Sequence, residues 1–81
     1  ARLRKLKTLS LSDNKITSVS HKIGKLKRLE LLNLANNNIT SVPSNLSQLK
    51  SLKTLILIGN PISDQEKSRI QAELPTVDIR F

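Results

Sequence analysis

Three stretches decide the fold: LSLSDNKITSV at 9–19, LNLANNNITSV at 32–42 and LILIGNPIS at 55–63. Each begins 23 residues after the one before it. Stacked at that period, the chain falls into columns. Leu6, Leu29 and Leu52 form one, Leu9, Leu32 and Leu55 the next, then Leu11, Leu34 and Leu57. Asn14, Asn37 and Asn60 follow, and after them Ile16, Ile39 and Ile62. Val19 aligns with Val42, Ile23 with Leu46, and Leu3 with Leu26 and Leu49. Self-similarity at a fixed period of this length marks a solenoid. One short coil cannot bury its own apolar face, whereas a stack of coils makes a continuous core.

Spacing within a coil sets its local structure. The Leu-x-Leu alternation has period two and predicts a short strand in each coil. Strands that recur at the same place in every coil must pair in parallel. The asparagine column follows the strand, where the chain bends inward. An inward asparagine offers two donors and an acceptor to backbone groups of the neighbouring coils, which an apolar side chain cannot do. The return stretch, such as VPSNLSQLKS at 42–51, has wider apolar spacing. It reads as a loop with a short helical or 3₁₀ turn, with Pro43 at the turn's first position. Asn36, Asn37 and Asn38 suit a tight bend that tolerates unusual φ.

The columns resemble the leucine-rich repeat pattern, L-x-x-L-x-L-x-x-N-x-I, and closely its typical 23-residue class, from Leu3 to about Ser63. The resemblance implies an α/β fold: a curved solenoid with a short parallel concave sheet and an irregular or 3₁₀ convex side. About three repeats are expected, at 3–25, 26–48 and 49–62 onward. The tail then departs from the repeat. Ser63 and Glu66 have the S-x-x-E spacing of a capping box, so a helix is expected over about 64–74. Ile70 and Leu74 share one face of it, with Lys67, Arg69 and Glu73 toward solvent and Pro75 as its stop. TVDIRF alternates and predicts an edge strand over about 76–80. Leu74, Val77 and Ile79 then follow the leucine columns at a spacing of 22. Residues 63–81 thus read as a C-terminal cap that seals the core. This cap is similar to the closing segment of many bacterial leucine-rich repeat proteins.

The first coil has no matching cap. Leu3, Leu6, Leu9, Leu11, Ile16 and Val19 belong to a coil with none ahead of it in this sequence, so its strand edge is a template for another chain. A further repeat or a second copy of the chain is expected to cover it, a second copy by a two-fold arrangement. Arg2, Arg4, Lys5 and Lys7 limit uncontrolled pairing there.

Side chains between the leucines point out of the concave sheet. One row is Thr8, Leu31, Thr54 and Thr76, the next Ser10, Asn33, Ile56 and Asp78, the third Ser12, Ala35, Ile58 and Arg80. Asp13, Asn36 and Asn38 stand at the strand exits. The resemblance implies that partners bind here. The candidate binding face is therefore Thr8, Ser10, Ser12, Asp13, Leu31, Asn33, Ala35, Asn36, Thr54, Ile56, Ile58 and Asp78, above a structural ladder of Asn14, Asn37 and Asn60. Exposed Leu31, Ile56 and Ile58 fit a protein interface, or are ordinary strand-favouring surface residues.

The chain carries a net charge of +8, all of it in residues 1–28. Arg4, Lys27 and Lys50 stack in one column and Lys5 over Arg28, on the flank that leads into the strands, with Lys22 and Lys25 on the convex side. A solvated face explains such charge, and a phosphate-binding patch also fits. Single-strand recognition usually adds aromatic platforms, and Phe81 is the only aromatic, so nucleic acid is not the expected partner. No cofactor or metal is expected: there is no cysteine, His21 is the one histidine, and Gly24 and Gly59 are isolated. No apolar run reaches the length of a membrane span. The expected function is non-enzymatic protein recognition. The alternative is structural: a self-associating piece of a longer solenoid, or a minimal engineered module without a ligand of its own.

Overall fold

The computed structural model describes residues 5–81; the expectations for Arg2, Leu3 and Arg4 lie outside the described residues. The chain runs β1 (Thr8–Ser10), a 3₁₀ turn at His21–Lys25, β2 (Leu31–Asn33), a second 3₁₀ turn at Ser44–Gln48, β3 (Thr54–Ile56), α1 (Asp64–Glu73) and β4 (Asp78–Arg80). The strands form one sheet in the order β1-β2-β3-β4, every pair parallel. Thr8 stands opposite Leu31 and Leu31 opposite Thr54, so the 23-residue period of the sequence is the register of the sheet. A parallel pair needs a crossover, and here the rest of each coil supplies it. The molecule is a short α/β solenoid with a C-terminal helix.

The leucine columns make the core. Leu29, Leu32, Leu34, Ile39, Val42, Leu46, Leu49, Leu52, Leu55, Leu57 and Ile62 are buried, and Ile70 and Leu74 close the stack from the cap. Leu6, Leu9, Ile16, Val19 and Ile23 of the first coil occupy equivalent columns yet are only partly buried, as is Leu26 at the start of the second. Leu11 is 36% exposed where its equivalents Leu34 and Leu57 are 1%. Burial therefore depends on having a coil on both sides.

In the asparagine column, Asn37 and Asn60 bond backbone groups of the coil before them in a directional pattern. Asn37 Oδ1 accepts from Ile16 N in the preceding coil (3.1 Å), and its Nδ2 donates to Leu11 O in that coil (3.0 Å) and to its own coil's Leu34 O (2.9 Å). Asn60 repeats the pattern one coil on, to Ile39 N, Leu34 O and Leu57 O. A second column escapes inspection by residue type: Asp13 (φ 60°), Asn36 (φ 57°) and Gly59 (φ 80°) all adopt left-handed backbone. These residue types share only a tolerance of that region. Asn36 Nδ2 donates to Asp13 Oδ1 (2.9 Å). At Gly59 an added Cβ would run into the Asn36 side chain, which would have to shift, on top of the left-handed backbone that glycine tolerates best.

Pro43 is the N-cap of the second 3₁₀ turn rather than its first residue. Ser63 Oγ accepts from Glu66 N (3.2 Å) and starts α1, which ends at Glu73 with Leu74 as its C-cap. Two expectations for the cap are corrected. Arg69 does not simply face solvent: it bonds Glu66, Glu73 (2.8 Å) and Val42 O in the second coil (2.7 Å), fastening α1 to the solenoid. Lys67 likewise has a partner, its Nζ lying 5.5 Å from the Phe81 ring centre. The second correction is register. Thr54 pairs with Asp78, Leu55 with Ile79 and Ile56 with Arg80, a spacing of 24 rather than 22. After α1, Pro75 and Thr76 form a turn, and β4 begins only at Asp78. That turn displaces Thr76 and Val77 from the columns assigned to them.

Candidate protein-interaction face

Each strand holds its outward side chains at a fixed spacing, because alternate residues of a strand face opposite sides of the sheet. The first row is Thr8, Leu31, Thr54 and, by the observed register, Asp78. The second is Ser10, Asn33, Ile56 and Arg80. Asp78 thus stands beside Thr54, not Ile56 as the spacing of 22 had it, and Thr76 lies before the strand. Ser12, Ala35 and Ile58 follow the strands. The sequence rows placed Arg80 after Ile58; it stands opposite Ile56 and pairs with Asp78 (3.2 Å) across the end of the face.

The face changes character from coil to coil. Thr8 and Ser10 of β1 are exposed hydroxyls, and Ser10 Oγ lies 3.5 Å from Ser12 Oγ. β2 offers half-buried Leu31, with Asn33 held by a bond from Ala35 N to its Oδ1 (3.0 Å). β3 offers half-buried Ile56, with Ile58 beyond it at 48% exposure, the most exposed large apolar side chain among the described residues. β4 closes the row with the Asp78–Arg80 ion pair, both side chains more than half exposed. Asp13 and Asn36 stand at the strand exits, where their left-handed backbone and mutual bond shape the bend. The face therefore carries hydroxyls at one end, an apolar centre and a charge pair at the other.

Among the described residues no three His, Asp or Glu side chains are placed to hold a metal ion. His21 is exposed at the first residue of its 3₁₀ turn, with no acid bonded to its ring among the described residues. Lys5, Lys22, Lys25, Lys27, Arg28 and Lys50 are exposed away from the concave rows. Lys53 pairs with Glu30 at 3.7 Å, a solvated contact of small energetic weight. No described helix is long and apolar enough to cross a membrane.

Residues 3–62 match the family model described as leucine rich repeat, and the chain belongs to that family. Among solved structures it is similar to a leucine-rich repeat protein of Leptospira interrogans, with 47% identity and a TM-score of 0.87. That match covers 89% of this chain and 18% of the other. It is also similar to a chain of the Chaetomium Mex67:Mtr2 subunits, at 27% identity, TM-score 0.70, and 93% and 53% coverage. A chain of the Drosophila melanogaster SNF/U2A' complex shares the fold, at 20% identity, TM-score 0.62, and 94% and 59% coverage. The chain thus spans under a fifth of the Leptospira protein and just over half of the other two. No curated protein matches it.

Proposed function

We propose that this chain is a non-enzymatic protein-recognition module whose concave sheet is the contact surface. The observation that carries the reading is the apolar centre of that sheet: Ile58 is 48% exposed, beside Ile56 and Leu31, between flanking hydroxyls and an ion pair. An apolar patch with a polar rim is the make-up of protein interfaces, and a patch left in water without that use is a liability. The sheet is backed by the buried leucine columns, so its side chains are held rigidly and a partner orders little of the chain on binding. Membership of the leucine-rich repeat family supports the reading, as does the occurrence of the Chaetomium neighbour in a two-subunit assembly.

The test is selection of binders from a displayed-peptide library on the wild-type chain, followed by titration of the winners against two variants. Ile56→Asp/Ile58→Asp is expected to weaken binding by at least about tenfold. Lys22→Glu/Lys25→Glu, on the convex side, is expected to leave it unchanged. Winners indifferent to the concave pair and sensitive to the convex pair would overturn the reading.

A further inference from the structure

Much of the positive charge is gathered on one convex turn and the flank beside it. We infer that residues 22–28, together with Lys50 of the next coil, form a docking surface for the anionic phospholipid face of a membrane. The inference is independent of the concave-face reading.

The first observation is an internal comparison. The two 3₁₀ turns, His21–Lys25 and Ser44–Gln48, hold the same place in successive coils. Their apolar positions agree: Ile23 aligns with Leu46 and Leu26 with Leu49, all packed in or against the core. Their polar positions do not. Lys22, Lys25 and Arg28 align with Asn45, Gln48 and Ser51, and only Lys27 meets a like residue, Lys50. The second coil folds this segment with neutral side chains, so the cations of the first are not a requirement of the stack.

The second observation is that the chain does not neutralise them. Lys22, Lys25, Lys27, Arg28 and Lys50 are exposed and have no ion-pair partner among the described residues. No acid lies within residues 14–29. Elsewhere Asp13 is bonded to Asn36, Glu30 pairs with Lys53, Glu66 and Glu73 with Arg69, and Asp78 with Arg80. Like charges gathered in one coil and its neighbour repel one another, and an anionic partner relieves that repulsion.

The third observation selects the partner. Lys22 and Lys25 are three apart on a 3₁₀ turn, so they stand one above the other. Lys27 and Arg28 continue along the coil, and Lys27 and Lys50 lie one coil apart along the stack. The patch thus extends in two directions, which a sheet of headgroups meets together and a linear polymer does not. Four of the five cations are lysines, point charges on flexible stems that suit a diffuse field rather than the bidentate fork of arginine. The only aromatic, Phe81, sits against Lys67 of the cap, so nucleic-acid bases find nothing to stack on here. Ile23 and Leu26, the apolar residues between the lysines, are taken up by the core rather than offered to acyl chains. Docking is therefore electrostatic and reversible.

The test sediments the full chain with sucrose-loaded vesicles of phosphatidylcholine, alone or with phosphatidylglycerol as about a third of the lipid. Binding is expected only to the mixed vesicles, and is expected to be lost as salt rises from about 50 to about 500 mM. Lys22→Asn/Lys25→Gln gives the first turn the residues of the second. It is expected to lower partition by roughly twentyfold with circular dichroism retained, since each cation near such a surface is worth about fivefold. Lys15→Gln/Lys67→Gln removes the same charge outside the patch and is expected to lower partition by less than about threefold. Equal losses in the two variants overturn the inference, because net charge alone then accounts for binding. Equal sedimentation with both kinds of vesicle, or with neither, also overturns it. So does binding to duplex DNA, read by fluorescence anisotropy at the same salt, that Lys22→Asn/Lys25→Gln abolishes and the mixed vesicles fail to compete away; that result assigns the patch to nucleic acid.

Discussion

At the residue scale, the asparagine column separates two environments for one side chain. Asn37 is buried and satisfies Ile16 N, Leu11 O and Leu34 O; Asn14 is exposed and bonds only carbonyls of its own coil. Removing a partner from buried backbone groups costs far more than removing one from groups that water reaches. Asn37→Ala is expected to lower unfolding free energy by about 3 kcal/mol and Asn14→Ala by under about 1 kcal/mol. Urea unfolding followed by circular dichroism measures both, and equal losses would deny the ladder its role. Gly59 gives a second prediction. Gly59→Ala adds a left-handed backbone penalty of about 1 kcal/mol to a clash with the Asn36 side chain. In an Asn36→Gly background, where the clash is absent and φ is still met, the same substitution is expected to cost only the backbone part. An undiminished cost in that background would show that the Asn36 contact is immaterial.

At the element scale, the strands and the helix differ in how legible they are. The strands follow from leucine spacing, because one residue of slip would turn the whole apolar set outward. The start of α1 follows from Ser63 and Glu66, whose capping bond forms as the spacing predicts. The position of β4 does not follow. It depends on how many residues the turn at Pro75 and Thr76 takes up, and the apolar alternation of Val77, Ile79 and Phe81 fits two registers equally well. Arg69 is a similar case: its position on α1 looks solvent-facing, and only the packing of α1 on the solenoid brings Val42 O within its reach. The left-handed column was hidden because Asp13, Asn36 and Gly59 share conformational tolerance rather than type. On the candidate face, the rows of β1 to β3 were legible from the period, and the cap's contribution was not.

Arg69 also sets an acid sensitivity for the cap. Its bond to Glu66, with its charge, holds the Glu66 carboxyl below the ordinary value of 4.5, outweighing desolvation. A carboxyl with a lowered pKa in the folded state stabilises that state above its unfolded value and loses the contribution as pH falls through the folded one. Stability is therefore expected to decline from about pH 4.5 downward, and Glu66→Gln should flatten part of that decline. Urea midpoints across pH 3 to 6, on the order of six points, check this. A Glu66→Gln curve parallel to wild type would remove the Arg69–Glu66 pair from the account.

At the scale of the whole molecule, the chain is a one-dimensional stack, and such stacks lose stability from the end with fewer neighbours. The C-terminal end is closed by Ile70 and Leu74 and fastened by Arg69. The N-terminal end leaves Leu11 and its hollow open. The concave face draws its apolar side chains from β2 and β3, the strands with neighbours on both sides, so the proposed contact surface sits on the most enclosed part of the sheet.

Native-state amide hydrogen exchange read residue by residue tests this account most directly, because it reports the opening of each coil separately. The account predicts a gradient. Amides bonded within the sheet at Leu34 and Leu57 should exchange slowest, and those of Leu11 and Asp13, bonded to β2 from the open coil, markedly faster. Equal protection of all four would mean that the first coil needs no further neighbour, and the stacking account would be wrong.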